Sequence, residues 1–63
     1  MAITLKAARV NAGYTQMEAA NRIGVSKESI SNWERGKSYP DVPQLKKIEE
    51  LYKVDYKDLI FLV

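Results

Sequence analysis

The sequence has 63 residues, with ten Lys and Arg against eight Asp and Glu and a formal net charge of +2 at pH 7. This length supports one small domain, and the absence of Cys and His excludes disulfides, thiolate or imidazole catalysts and the commonest transition-metal ligands. We therefore expect no enzyme, no metal, no cofactor and no small-molecule ligand. The longest apolar run, residues 59–63, is too short to cross a bilayer, so we expect no membrane segment. The absence of Cys fits a reducing interior, and we expect a cytoplasmic protein.

The charges are unevenly distributed along the chain. Basic residues outnumber acidic ones over residues 1–40, whereas acidic residues slightly outnumber basic ones over residues 41–63. This asymmetry suits a polyanion bound on one side, although an ordinary solvated surface would show the same pattern. The later lysines lie among acidic residues and are expected to be solvated surface: Lys46, Lys47, Lys53 and Lys57.

Two helices are predicted in the first third of the chain. Thr4 can cap a helix over residues 5–12, and Gly13 can end it in the left-handed conformation. Residues 15–18 have the form of a capping box, with a hydroxyl at the N-cap and Glu three positions later. A second helix is therefore predicted from this box to about Ile23.

A third helix follows after a very short connection. Gly24 can end the second helix, and Ser26 can cap a helix from Lys27 to about Arg35. A three-residue connection makes the two helices cross steeply, at about 90–120°. Their inner faces are predicted to pack through five residues: Ala20, Ile23, Val25, Ile30 and Trp33.

Two more helices are predicted after residue 40. Asp41 and Gln44 form a second capping box for a helix to about Lys53. Asp55 can cap a last short helix over residues 56–62. The sequence therefore predicts five helices and no strand.

The outward face of the third helix is polar. With Ile30 directed inward, a rotation of 100° per residue directs Glu28, Asn32 and Arg35 outward, flanked by Lys27 and Ser31. These are side chains whose donors and acceptors can contact the edges of bases.

Four short motifs occur in order across the chain: Thr15-Gln16-x-Glu18-x-Ala20, Gly24-Val25-Ser26, Ile30-Ser31-Asn32-Trp33-Glu34-Arg35-Gly36-Lys37 and Pro40-Asp41. In this order and spacing they resemble the Cro/repressor, or Xre-like, family of helix-turn-helix domains. The resemblance covers nearly the whole chain. It implies an all-α, compact five-helix, lambda-repressor-like DNA-binding domain over residues 1–63, with the helix-turn-helix at residues 16–35.

The resemblance implies base contacts from Lys27, Glu28 and Asn32. Their chemistry agrees, because Lys donates to guanine O6 and N7, Glu accepts from cytosine N4, and Asn can pair with adenine through two hydrogen bonds. Glu28 has an alternative role, since an acidic residue near a helix N-terminus is also favoured by the helix dipole.

The resemblance and the positions flanking the third helix also indicate contacts to the DNA backbone. The expected set is Thr15, Gln16, Ser31, Arg35, Lys37 and Tyr39. Tyr39 has the alternatives of stacking on a sugar or packing locally. Arg9 and Glu34 match a structural ion pair of the family, and Arg9 could contact phosphate as well.

These features predict a sequence-specific regulator of transcription that binds double-stranded DNA. We expect a repressor, of the prophage type, that binds a palindromic operator as a homodimer through the major groove. The apolar C-terminal helix is the expected dimer contact: Leu59, Ile60, Phe61, Leu62 and Val63. Alternatively, Leu59 with Phe61 or Leu62 closes the core beneath the first helix, and the rest of the segment contacts the second subunit. The alternative is an antitoxin-like or adaptor module that uses the same fold to bind a protein.

Overall fold

The fold was established from a computed structural model, which describes residues 2–61. Its elements, in chain order, are β1 (Ile3–Thr4), α1 (Leu5–Asn11), α2 (Gln16–Ile23), α3 (Lys27–Glu34), α4 (Val42–Tyr52), a single 3-10 turn (Tyr56–Asp58) and β2 (Leu59–Ile60). The first four helices agree with the sequence prediction to within about one residue at their ends. The mainly helical fold class is thus confirmed, but the helix count of five is not, because residues 2–61 contain four α-helices.

Side-chain caps explain where the helices begin. Thr4, Ser26 and Asp41 each accept a hydrogen bond from the backbone N–H three residues later. Thr15 does the same and forms a complete capping box with Glu18. These caps satisfy backbone donors that have no partner inside the helix, and for that reason the predicted start sites are accurate.

The C-terminal segment differs from the prediction. Asp55 makes no side-chain cap, only one 3-10 turn forms, and the chain then becomes extended. Leu59 and Ile60 pair in parallel with Ile3 and Thr4, so the expectation of no strand is also wrong. The pairing supplies backbone partners from the other end of the chain, a long-range effect that a local sequence pattern does not contain. Leu62 and Val63, part of the predicted fifth helix, lie outside the described residues.

The core lies between the four helices and β2. The α2 and α3 helices pack on each other, α4 packs against α2, and α1 contacts both α3 and α4. The buried apolar residues are Leu5, Ala8, Ala19, Ala20, Ile23, Ile30, Trp33, Ile48, Tyr52 and Leu59. Trp33 and Ile30 therefore belong to the core, as their helical spacing predicted. This packing directs the opposite face of α3 to the surface.

Candidate nucleic-acid interface

The connection between α2 and α3 determines how α3 is presented. Gly24 has φ 88° and ψ 34°, the left-handed conformation that the sequence predicted for it. The N–H groups of Gly24 and Val25 both donate to Ala20 O, at 2.8 and 3.0 Å. The side chain of Ala20 is buried, so the helices can approach closely at this point. The turn therefore closes α2 and starts α3 within three residues.

A second contact stabilises this turn from α4. Lys47 Nζ donates to Ile23 O at 3.2 Å. This places a positive charge at the C-terminus of α2, where the helix dipole favours it. Lys47 is exposed, as expected, but its ammonium group is bound to the turn, a role that the sequence prediction missed. A lysine in a mixed-charge helix gives no sign of such a distant partner.

The N-terminal half of α3 carries two of the three predicted base-contacting residues. Lys27 and Glu28 are the first two residues of the helix, and both are exposed. Ser26 caps the helix by accepting from Ser29 N at 3.1 Å. The cap fixes the helix start, so the backbone that carries the exposed side chains at positions 27 and 28 has a defined conformation.

Asn32, the third predicted base contact, lies one turn further along α3. Its side chain is half-buried, and Arg35 Nη2 donates to Asn32 Oδ1 at 3.0 Å. Ser31 beside it is also half-buried, whereas Arg35 is exposed. The structure thus joins a predicted base contact directly to a predicted backbone contact.

A cluster of three side chains joins α1, α2 and α3 behind the outer face of α3. Its members are Arg9, Gln16 and Glu34. Arg9 Nε and Nη2 donate to the two carboxylate oxygens of Glu34 at 2.6 and 3.2 Å. Gln16 Nε2 donates to Glu34 Oε1 at 3.1 Å. The hydrogen bond to Glu34 holds the pKa of the Arg9 guanidinium above its ordinary value, against the opposing effect of burial. The side chains of Arg9 and Glu34 are 9% and 5% exposed, so this cluster is a structural support.

The other predicted backbone contacts lie at the two ends of the helix-turn-helix. Thr15 Oγ1 accepts from Glu18 N at 3.1 Å, and Thr15 N donates to Glu18 Oε1 at 2.9 Å. These bonds hold the pKa of Glu18 below its ordinary value. Lys37 is exposed. The exposed ring of Tyr39 packs edge-on against Phe61, with centroids 6.2 Å apart, so part of its role is local packing.

Within residues 2–61, no group of acidic side chains is arranged to hold a metal ion. The helices in this part of the chain are all too short or too polar to cross a membrane.

Comparison with known proteins identifies the family. The sequence is 46% identical over 50 residues to the HTH-type transcriptional regulator ImmR of Bacillus subtilis (strain 168), covering 79% of this chain and 39% of that protein. It is 36% identical over 56 residues to the HTH-type transcriptional activator BcrR of Enterococcus faecalis, covering 89% of this chain and 28% of that protein. Both relatives are named as regulators and not as enzymes, in agreement with the expectation of a non-catalytic protein. No solved structure gives a significant match.

The chain therefore spans less than half the length of each of these relatives. The family model described as helix-turn-helix matches residues 5–59, which is most of the chain and includes α1 to α4. The protein belongs to the helix-turn-helix family, of the Xre/Cro-like type that its motifs resemble.

Proposed function

We propose that this protein is a regulator of transcription that binds double-stranded DNA in a sequence-specific manner, with α3 in the major groove. The observation that supports this most directly is the outer face of α3. Lys27 and Glu28 project from the helix start, and Asn32 follows one turn later on the same face. These side chains offer donors and acceptors suited to base edges, and the core behind them holds α3 in place.

Basic groups flank this face, as phosphate binding requires. Arg35 and Lys37 are exposed just beyond Asn32. Gln16 lies at the first position of α2, where the backbone N–H has no partner within the helix and can donate to a phosphate. These groups would fix the position of α3 on the duplex, while Lys27, Glu28 and Asn32 would read its sequence.

We propose further that two copies bind a palindromic site, with their α3 helices about one DNA turn, roughly 34 Å, apart. Apolar side chains near the C-terminus support this, but the residues available for the dimer contact differ from those expected from the sequence. Leu59 is buried in its own core and is unavailable, whereas Ile60 is 43% and Tyr56 is 55% exposed. Beside them an open groove of about 360 Å³ is lined by Tyr39, Pro40, Leu45, Tyr56 and Phe61.

We propose further that the protein acts as a repressor. A protein that occupies a promoter blocks polymerase, and one that occupies an upstream site can instead recruit it. One of the two relatives is named an activator. The test must therefore vary the position of the bound site relative to the promoter, since this position decides between repression and activation. A reporter with the selected site placed over or upstream of the promoter measures which mode applies, and our proposal expects reduced expression in the overlapping arrangement.

The DNA-binding proposal is tested by selecting duplexes from a random library and measuring their affinity by fluorescence anisotropy across a salt series. We expect an enriched palindrome and a log–log salt slope of about −0.9 for each phosphate contacted. Lys37→Ala should make the slope shallower by about one unit. Lys46→Ala is the matched control, because Lys46 lines a groove with Glu49, Glu50 and Asp55, a surface that a polyanion avoids. A flat salt dependence with no enriched sequence contradicts the proposal.

A protein-interaction module is the second candidate, and the groove beside Tyr56 and Phe61 is the observation that favours it. This candidate predicts a stable complex with one protein partner and no enriched duplex. A substitution in the groove, such as Phe61→Ala, would then abolish partner binding, whereas Lys27→Ala would leave it intact.

A further inference from the structure

We infer that Glu34 is a positioning residue for DNA binding, because its carboxylate holds the Gln16 side chain in an orientation from which Gln16 can donate to a phosphate of the duplex. The inference rests on the proposed DNA-binding function and deepens it. It gives the buried cluster of Arg9, Gln16 and Glu34 a role in binding in addition to its role in stability. It follows from the hydrogen bond from Gln16 Nε2 to Glu34 Oε1, 3.1 Å long, between residues 18 positions apart.

The orientation of the Gln16 amide follows from the chemistry of its partner. A carboxylate only accepts hydrogen bonds, so the amide atom that faces Glu34 is the donor Nε2 and not Oε1. The Glu34 side chain is 5% exposed, and Arg9 binds both of its oxygens, so this acceptor is fixed in place. Nε2 carries two hydrogens. One of them is bound to Glu34, and the other remains available to a further acceptor.

Gln16 has a second donor beside its side chain. It is the first residue of α2, where the backbone N–H has no acceptor within the helix. The cap at Thr15 accepts from Glu18 N, and so it leaves the N–H of Gln16 to another partner. The positive end of the helix dipole lies at the same place. A phosphate bound here would accept from the backbone and the side chain of one residue.

Arg9 makes a phosphate next to Glu34 electrostatically acceptable. An unpaired carboxylate at this position would repel the DNA backbone, but the guanidinium of Arg9 neutralises it through two hydrogen bonds. Arg9 Nη1 also donates to Tyr14 O at 2.8 Å, two residues before Gln16. Arg9 therefore fixes the chain that leads into α2, while Glu34 fixes the side chain at its first position.

A side chain that is held before binding loses less conformational freedom when it meets the DNA. Glutamine has several rotatable bonds, and ordering such a side chain opposes association. With Gln16 already ordered by Glu34, we expect a gain in affinity of about threefold to tenfold.

The test is a double-mutant cycle on the affinity for the selected duplex, measured by fluorescence anisotropy. Gln16→Met removes the side-chain donors and keeps the backbone N–H. It is made in the wild type and in the variant Arg9→Met/Glu34→Leu, in which two apolar side chains replace the ion pair. We expect Gln16→Met to lower the affinity about tenfold in the wild type and about threefold or less in that variant.

Lys37→Ala is the matched control, because Lys37 is an exposed proposed phosphate contact outside the cluster. It should lower the affinity by the same factor in both backgrounds. Circular dichroism establishes that each variant is folded.

A second measurement uses the wild-type protein alone and does not depend on the folding of any variant. Nitrogen-15 relaxation of the side-chain amides reports their order on the picosecond to nanosecond timescale. Without DNA, the Gln16 amide should have an order parameter near that of the helix backbone, about 0.85. The exposed amide of Asn21, also on α2, is the reference and should fall below about 0.6.

The outcomes that overturn the inference differ in what they say about the proposed function. Equal losses from Gln16→Met in the two backgrounds, or a Gln16 amide as mobile as that of Asn21, would show that Glu34 serves stability alone. No loss from Gln16→Met in the wild type would show that its side chain does not contact DNA. In these cases DNA recognition by α3 would stand. The absence of any enriched duplex with the wild-type protein would reject the proposed function, and the inference with it.

Discussion

Arg9 in α1 and Glu34 at the end of α3 form a two-point ion pair across 25 positions of sequence, with both side chains almost fully buried. Glu34 also accepts from Gln16, the first residue of α2. One carboxylate thus joins the three N-terminal helices, directly behind the proposed DNA-reading face. The pair therefore connects the stability of the fold to the placement of α3.

Removing one partner of this pair should be strongly destabilising. Arg9→Met or Glu34→Leu leaves a buried charge without its counter-ion, and we expect a loss of about 3–5 kcal/mol in the free energy of unfolding. Urea denaturation followed by circular dichroism measures it. The double variant Arg9→Met/Glu34→Leu should recover much of the loss, since two apolar side chains need no counter-ion. Single variants within about 1 kcal/mol of the wild type would show that the pair acts as an ordinary surface salt bridge.

Tyr52 should make the fold sensitive to alkaline pH. Burial, and secondly the nearby Glu34 carboxylate, raise the pKa of Tyr52 from 10.0 to about 12. The unfolded chain therefore releases this proton at lower pH than the folded protein. The stabilising contribution is fully present below pH 10 and is lost as the pH rises from 10 to about 12.

The expected loss is about 2 kcal/mol, from the pKa difference. Urea denaturation at several pH values between 9 and 12 measures it. Tyr52→Phe is the control, because it retains the ring and removes the ionisable group. This variant should show a smaller decrease over the same range. An identical pH profile for Tyr52→Phe and the wild type would show that other groups cause the alkaline loss.

The turn between α2 and α3 should tolerate little beyond glycine. Nothing lies within 4 Å of a Cβ built on Gly24, but its φ is +88°. Gly24→Ala should therefore destabilise through backbone strain alone, by about 1–2 kcal/mol. Gly24→Asn should cost less, because Asn adopts the left-handed conformation more readily. Thermal denaturation compares the two variants, and equal melting temperatures would contradict this explanation.

The cap of α4 provides a stability effect separate from the proposed interface. Asp41 accepts from Gln44 N at 2.9 Å, and Gln44 Oε1 accepts from Asp41 N at 2.8 Å. Asp41→Ala should lower the free energy of unfolding by about 1 kcal/mol, as measured by urea denaturation. Asp41→Ser retains a capping hydroxyl and should recover most of that loss. If both variants were equally destabilised, the cap would not be the cause.

Leu59 and Ile60 are neighbours on β2 with opposite environments, 9% and 43% exposed. Leu59→Ala should cost about 2–5 kcal/mol in stability, as for other buried leucines. Ile60→Glu should leave the fold intact and reduce dimerisation on DNA. Thermal melting and the stoichiometry of the DNA complex separate the two effects. Unchanged two-copy binding by Ile60→Glu would remove Ile60 from the proposed dimer contact.

The sequence by itself determined the helix starts, the turn at Gly24 and the inward and outward faces of α3. These features depend on neighbours within about four residues, through capping bonds and helical periodicity. A local stretch of sequence is therefore enough to predict them. The resemblance to the Xre-like family added the pairing of Arg9 with Glu34, which no local pattern contains.

Only the tertiary structure decided the C-terminus and the finer arrangement around α3. Residues 56–60 form a turn and a strand because Ile3 and Thr4 offer backbone partners from the opposite end of the chain. The bond from Lys47 to Ile23 O likewise joins residues 24 positions apart. Asn32 and Arg35 are close in sequence, but an exposed arginine can point to solvent or to its neighbour, and only the folded geometry selects between them.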